Sequence, residues 1–165
     1  MEYWDIYDIH RQKTGRIMKR NDWNMQAGDY HLSVLAVIVR PDGRYLITRR
    51  VDTKAWAAGW WEVTGGGVNA GESSRDAVVR EVKEETGLDV SQLDGGPVYS
   101  YRRDNPKEGD NYFVDVYRFV IDFDESDVVL QKAEASEFRI ATLDEIKALA
   151  QEGIFLHYDS IKQVF

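Results

Sequence analysis

Cysteine is absent from the chain, which excludes disulfides, thiolate metal sites and cysteine nucleophiles and fits a reducing compartment. Positive charge is in short supply: 21 basic residues face 29 acidic ones, leaving a net charge of -8. That balance argues against a basic face for a nucleic-acid polymer or an anionic membrane, so an anionic substrate would need a metal ion or a local basic patch. Long apolar runs are also missing. The longest, VLAVIV from Val34 to Val39, is far too short to cross a bilayer. The opening MEYWDIYDIH has neither the basic n-region nor the apolar h-region of a signal peptide, and a soluble cytoplasmic protein is the expectation. No internal repeat, low-complexity tract or linker interrupts the chain. What is present is 165 residues, 43% of them hydrophobic, with five Trp, nine Tyr and six Phe, enough for one substantial core and a single domain over 1–165. Exposed aromatic residues in the first thirty positions would serve a homodimer contact.

Local patterns give the order of elements. WDIYDI and the RIMKR that follows Thr14-Gly15 read as two short strands around a turn. LSVLAVIV (32–39) is a continuous β-branched run that suits a strand buried on both faces. Pro41-Asp42-Gly43 turns the chain and RYLITRR (44–50) returns as its hairpin partner. WWEV (60–63) reads as a strand that ends in a loop of three glycines, Gly65 to Gly67. A helical period runs from Ser73 to Thr86, with Gly87 as its stop. PVYSYRR (97–103) and NYFVDVYRFVIDF (111–123) form an antiparallel pair across DNPKEGD, and SEFRIA (136–141) is a last strand. Thr142 and Glu145 form a capping box for a helix through Ala150, and Asp159 or Ser160 caps a short terminal one. The sum is an α/β layered domain with a mixed sheet.

The helix over 73–86 places its charge badly. Val78, Val79, Val82 and Thr86 share the stripe that faces the core, while Glu81, Glu84 and Glu85 cluster on a neighbouring face at spacings i, i+3 and i+4. Each like-charged pair at that spacing costs about 0.2–0.5 kcal/mol, and the negative end of the helix dipole adds about 0.3–1 kcal/mol per anion. Arg80 relieves part of this, whereas Lys83 points the other way. A solvated acidic face is one reading. The other is an oxygen-only site for a hard divalent cation such as Mg²⁺ or Mn²⁺. The glycines decide between them, because backbone without a Cβ can bring its carbonyls close to whatever the glutamates bind.

In order the residues run Gly66, five residues, Glu72, seven residues, Arg80-Glu81-Val82, one residue, Glu84-Glu85, one residue, Gly87-Leu88. This resembles the Nudix box, G-x5-E-x7-R-E-U-x-E-E-x-G-U with U apolar, at every position. Chance coincidence of its fixed residues is on the order of 10⁻⁸ per starting point. The resemblance implies the Nudix α/β/α sandwich, a mixed β-sheet between helices. It also implies cleavage of a diphosphate linkage in a small molecule, a nucleoside diphosphate joined to a group X or a related substrate, by metal-activated water. Carried onto this chain, it makes Glu84 and Glu85 metal ligands with a carbonyl of Gly65 or Gly66. Glu81 becomes a ligand or the catalytic base, and Arg80 holds its carboxylate. Glu72 orders the loop, binds metal through water or meets the substrate. The base in many members lies beyond the box, which makes Glu134 a catalytic candidate and Glu137 the second.

The region before the box resembles the branch that contains isopentenyl-diphosphate isomerase. Gly65 and Gly67 stand where those isomerases carry a cysteine and a histidine, and His31 matches one of their metal-binding positions. Without any cysteine, isomerase chemistry in its known form is not expected here. Arg49, Arg50 and Lys54 are candidates for the substrate phosphates, with exposed hairpin-edge charge as the alternative. Trp56, Trp60 and Trp61 could stack on a base, although aromatic residues beside a strand more often belong to the core. His10 and His157 have no sequence partner that singles them out. The runner-up function is a Nudix-fold nucleotide-binding or sensor domain without turnover.

Overall fold

A computed structural model describes residues 1–165. Strands β1 (Tyr3–Tyr7) and β2 (Lys13–Lys19) form an antiparallel hairpin of their own. The main sheet is built on β3 (His31–Val39), whose β-branched residues pair in parallel along their whole length with β8 (Tyr112–Val120). Strand β7 (Tyr99–Arg103) adds to the outer edge of β8, antiparallel. The opposite edge of β3 is shared. Its first half takes β6 (Thr64–Gly67), and only Val39 meets Tyr45 at the start of β4 (Tyr45–Arg50). Strand β4 then turns away to pair with β5 (Trp61–Glu62) and β9 (Ala135–Ala141). The expected hairpin is therefore a single rung, because β6 occupies the edge that β4 would need.

The glycine run is the main departure from expectation. It is a strand, not a loop. Each of its residues has a close neighbour in place of a side chain: a Cβ at Gly65 would lie 2.3 Å from the Val34 carbonyl, and one at Gly67 2.7 Å from Trp4 Nε1. Helix α1 (Ser74–Thr86) follows as expected, with Ser73 accepting from the Asp76 amide and Gly87 closing the end at φ 77°. The box on Thr142 and Glu145 opens α2 (Leu143–Gln151). The last helix, α3 (Tyr158–Ile161), has His157 as its N-cap residue, two residues before Asp159 and three before Ser160, with φ 60° and no side-chain capping hydrogen bond.

Alternation along β3 sorts the core into two layers. Leu32, Val34, Ala36 and Ile38 pack with Val78 and Val82 of α1, whereas Val37 and Val39 join Ile146 and Leu149 of α2 and Ile161 of α3. Helices thus cover both faces of a mixed sheet, the α/β/α arrangement expected. No helix is long and apolar enough to cross a membrane. Among the early aromatic residues Trp4, Tyr7 and Tyr30 are buried within the chain, while Tyr3 and Trp23 are exposed.

The first hairpin is fastened to the sheet by a buried charge. Asp115 on β8 is 1% exposed and accepts from both terminal nitrogens of Arg11 at 2.7 and 2.6 Å, from Ser74 at 2.6 Å and from Ser100 at 2.7 Å. Burial works against its ionisation, but these donors hold its carboxyl below the usual range. Replacing Arg11 with Met should cost about 3 kcal/mol in urea unfolding, since it strands a buried carboxylate on two hydroxyls. Adding Asp115→Asn should recover part of that loss.

Candidate active site

Sheet register builds the floor of one large cleft. Cross-strand partners point to the same side, which aligns Arg103, Tyr112 and His31 in one row and Tyr101, Val114, Ser33 and Gly67 in the next. These residues line a cleft of about 1140 Å³ together with Gly65, Gly66, Glu81, Glu84 and Glu85. Bare glycine on β6 lets the helix carboxylates reach this space. Gly66 points to the α1 side, where a Cβ would stand 2.3 Å from Glu81 Oε1.

Arg80 organises the acidic wall. Its Nε donates to Glu72 Oε1 at 2.7 Å and Nη2 to Glu72 Oε2 at 3.0 Å. Nη1 donates to Glu81 at 2.7 Å and to Glu84 at 3.4 Å, and Nη2 also reaches the Gly67 carbonyl at 3.0 Å. Glu72 is thereby committed: its Oε2 also accepts from the Asn69 amide at 2.9 Å, and it does not line the cleft. Glu72 thus ties the loop to the helix.

The carboxylates are held in an uncomfortable state. Burial pushes the Glu81 carboxyl up, Arg80 opposes this, and the Glu84 charge adds to it. Glu85 lies well above the usual carboxylate range, first through burial and then through the charges of Glu81, Glu62 and Glu134, although Thr64 Oγ1 donates to it at 2.5 Å. Burial also raises Glu62.

Cations line the same cleft. Arg50 pairs with Glu62 at 3.2 Å, and Lys54 pairs with Glu134. All four line the cleft, so Glu134 is brought to the box although about fifty residues separate them in the chain. Arg49 and Glu137 are not. Consecutive strand residues face opposite ways, and these two are register partners on the other side of β4, with Arg49 donating to the Gly59 carbonyl at 3.1 Å. Trp61 is 3% exposed and belongs to the core, whereas Trp60 and Trp56 line the cleft.

The cleft also holds residues outside the box. His31 stacks on Trp4, centroids 3.8 Å apart, and its Nε2 meets Asp110 at 2.8 Å. Trp4 Nε1 and His31 Nδ1 are buried without a partner. Arg103 differs from Arg20, Arg50 and Lys54, the other basic side chains of the cleft, in having no ion-pair partner. His157 stands in the left-handed region at φ 60°. Burial, then the charges of Arg103 and Arg50, pushes its imidazole down to about 4. Only the pairing of β7 with β8, and the return of the C-terminal segment to the cleft, expose these residues.

A family model described as the NUDIX domain matches residues 29–163. The chain belongs to the Nudix hydrolase family. An uncharacterised Nudix hydrolase of Listeria monocytogenes is 31% identical over 166 residues, spanning 100% of this chain and 94% of its own. An isopentenyl-diphosphate Delta-isomerase of Kocuria rhizophila is 31% identical over 132 residues, 78% of this chain and 73% of that protein. Among solved structures, one from Deinococcus radiodurans superposes with a TM-score of 0.74 at 22% identity, covering 93% of this chain and 91% of that one, a likeness of fold.

Nudix enzymes generally depend on a divalent metal, and the residues here fit one. As they stand, no three acidic or histidine side chains are gathered closely enough to hold an ion. Yet Glu81 and Glu85 are buried oxygens that repel each other beside a glycine strand, and Glu84 is half exposed with one 3.4 Å contact to restrain it. A hard cation would relieve that repulsion with the oxygen donors it prefers.

His157 supplies a pH test. Above pH 6.5 its imidazole is neutral in both the folded and unfolded chain. Between 6.5 and about 4 only the unfolded chain takes the proton, so stability falls as pH falls, and below that range the dependence ends. His157→Gln should remove about 3 kcal/mol of the stability lost between pH 7 and pH 4, read as the difference between the unfolding profiles of wild type and variant.

Proposed function

We propose that this Nudix hydrolase is an Mg²⁺-dependent pyrophosphohydrolase that cleaves a diphosphate linkage in a nucleoside diphosphate-X or related small molecule by attack of water on phosphorus. The observation that carries the reading is that Glu81, Glu84 and Glu85 share one cleft with the bare backbone of Gly65 to Gly67 and with the cations Arg50 and Lys54. Glu84 and Glu85 would hold the metal, with Glu81 and a carbonyl of Gly65 or Gly66. Bound there, Mg²⁺, or Mn²⁺ as a substitute, would neutralise phosphate charge and lower the pKa of water.

The chain's own groups have distinct tasks in this reading. Arg50 and Lys54 are charge-paired with Glu62 and Glu134 and would exchange these carboxylates for phosphate oxygens. Glu134, once released by Lys54, is free to accept a proton from the attacking water, and Glu81 is the other candidate base. Arg80 touches neither phosphate nor water; it fixes the direction of the Glu81 carboxylate through a 2.7 Å hydrogen bond.

Glu85→Gln should weaken Mn²⁺ binding about tenfold or more by calorimetry, while the metal-free fold is unchanged or more stable, since a neutral amide replaces a buried carboxylate. Unchanged affinity would remove Glu85 from the ligand set. Wild type should show Mg²⁺-dependent turnover on a panel of nucleotides and other diphosphates, and Glu84→Gln should lose it. Binding without turnover in both proteins would favour the sensor alternative.

A further inference from the structure

The segment before β3 carries three arginines, and they are used differently. Arg11 and Arg16 are committed to buried aspartates, Asp115 and Asp29. Arg20 is not. Its one ion-pair partner is Glu2, both side chains are about half exposed, and the two line the cleft. Pairs so open to water hold weakly, so Arg20 can leave Glu2 for another anion. Strand register sets where the pair stands. The Arg20 amide donates to the Glu2 carbonyl at 3.0 Å, two rungs beyond Trp4 and Met18, which puts both side chains on the Trp4 face of the hairpin. Trp4 Nε1 lies over Gly67, whose carbonyl accepts from Arg80 at 3.0 Å, so this face leads on to the cluster of Arg80 and Glu81. The charges meet there. The Arg20 hydrogen bond, then the charges of Arg20 and Arg80, hold the Glu2 carboxyl below its usual range, and Arg20 is among the charges that oppose the burial raising Glu81. Arg50 and Lys54 stand nearer Glu85, one helical turn on, where the charges of their partners Glu62 and Glu134 are felt.

We infer that Arg20 is a phosphate-binding residue contributed by the first hairpin, taking phosphate oxygens at the Glu81 end of the acidic wall while Arg50 and Lys54 take others at the Glu85 end. The inference rests on the reading of this cleft as a diphosphate site, and it extends that site to a residue outside the span 29–163 that matches the NUDIX domain. Arginine suits the position, because its planar fork meets two phosphate oxygens at once. Glu2 holds the guanidinium off the acidic wall until a ligand displaces it. The chain just after Arg20 is fixed, since the Trp23 carbonyl packs against Gly109, where a Cβ would stand 2.4 Å away. A charge on a fixed turn with an exchangeable partner is suited to recognition, whereas Arg11 and Arg16 serve only to fasten the hairpin.

The test is calorimetry with methylenediphosphonate, a non-hydrolysable diphosphate, at saturating Mg²⁺, beside Mn²⁺ titration of the protein without that ligand. Arg20→Met should weaken methylenediphosphonate about tenfold, the scale of a lost charge-assisted hydrogen bond, and Arg20→Lys should keep part of the affinity. Mn²⁺ binding in Arg20→Met should be unchanged or tighter, since a cation has been taken from the neighbourhood of Glu81. Glu2→Gln frees the guanidinium and should bind methylenediphosphonate at least as tightly as wild type. Unchanged ligand affinity in Arg20→Met would overturn the inference. So would weaker Mn²⁺ binding in Arg20→Met, or a loss of ligand in Glu2→Gln equal to that in Arg20→Met, because the pair would then only set the carboxylates or fasten the hairpin. Lys54→Met separates the inference from the reading beneath it: if that variant loses the ligand and Arg20→Met does not, the diphosphate site stands and Arg20 lies outside it. If wild type does not bind methylenediphosphonate, both fall.

Discussion

The site depends on one guanidinium. Arg80 spends all five of its N–H groups on Glu72, Glu81, Glu84 and the Gly67 carbonyl, and so joins the loop before α1, the acidic face of α1 and the glycine strand. Lysine could not do this, because a single ammonium lacks the planar fork that meets several acceptors at once. The cluster holds a net negative charge even with Arg80 in it. What makes it tolerable is geometry: burial works against the charge of Glu81 and Glu85, Arg80 and Thr64 donate to them, and the acidic face lines a cleft and not the core.

That arrangement requires β6 to be almost without side chains. A Cβ at Gly66 would enter the Glu81 carboxylate, and one at Gly65 would enter the backbone of β3. Glycine weakens a strand, yet β6 is held because β3 gives it four consecutive register partners while β8 fixes the other edge of β3 along nine. The weak strand therefore leans on the strongest one. Helix α1 is anchored independently, through Val78 and Val82 in the apolar layer and a full capping box at Ser73. Local charge repulsion at its end is opposed by packing at its middle and hydrogen bonds at its start.

How much of this was legible follows from where each signal lives. The box is written within 23 residues, so α1, its caps, its core stripe and the crowding of Glu81, Glu84 and Glu85 could be read from spacing alone. Strand alternation separates the neighbouring Arg49 and Arg50, which face opposite ways on β4 so that only Arg50 lines the cleft. Composition points the glycine run to a loop, whereas the close approach of Glu81, Val34 and Trp4 is a tertiary fact that propensity does not contain. His157 and Arg103 lay outside reach for the same reason. Nothing near them in the chain is unusual: Arg103 reaches the cleft through the antiparallel pairing of β7 with β8, and His157 through the return of the C-terminal segment.

The acidic wall and the rest of the cleft consequently come from different parts of the chain. The acidic wall is confined to α1 and its glycine strand, whereas the rest of the cleft is furnished by the first hairpin, by β7, by the loop that carries Trp56 and by the segment at His157. Trp4 and Arg20 lie before residue 29, outside the span that matches the NUDIX domain, yet Trp4 lies over Gly67 and stacks on His31 at the cleft floor. A side chain at position 67 would displace that indole, and the indole in turn closes volume that a side chain there could have used. The glycine of the strand and the tryptophan of the hairpin are therefore one structural choice. It shapes the floor of the cleft without touching the carboxylates, so the packing of the hairpin on the sheet and the charge cluster of the box are set by separate contacts.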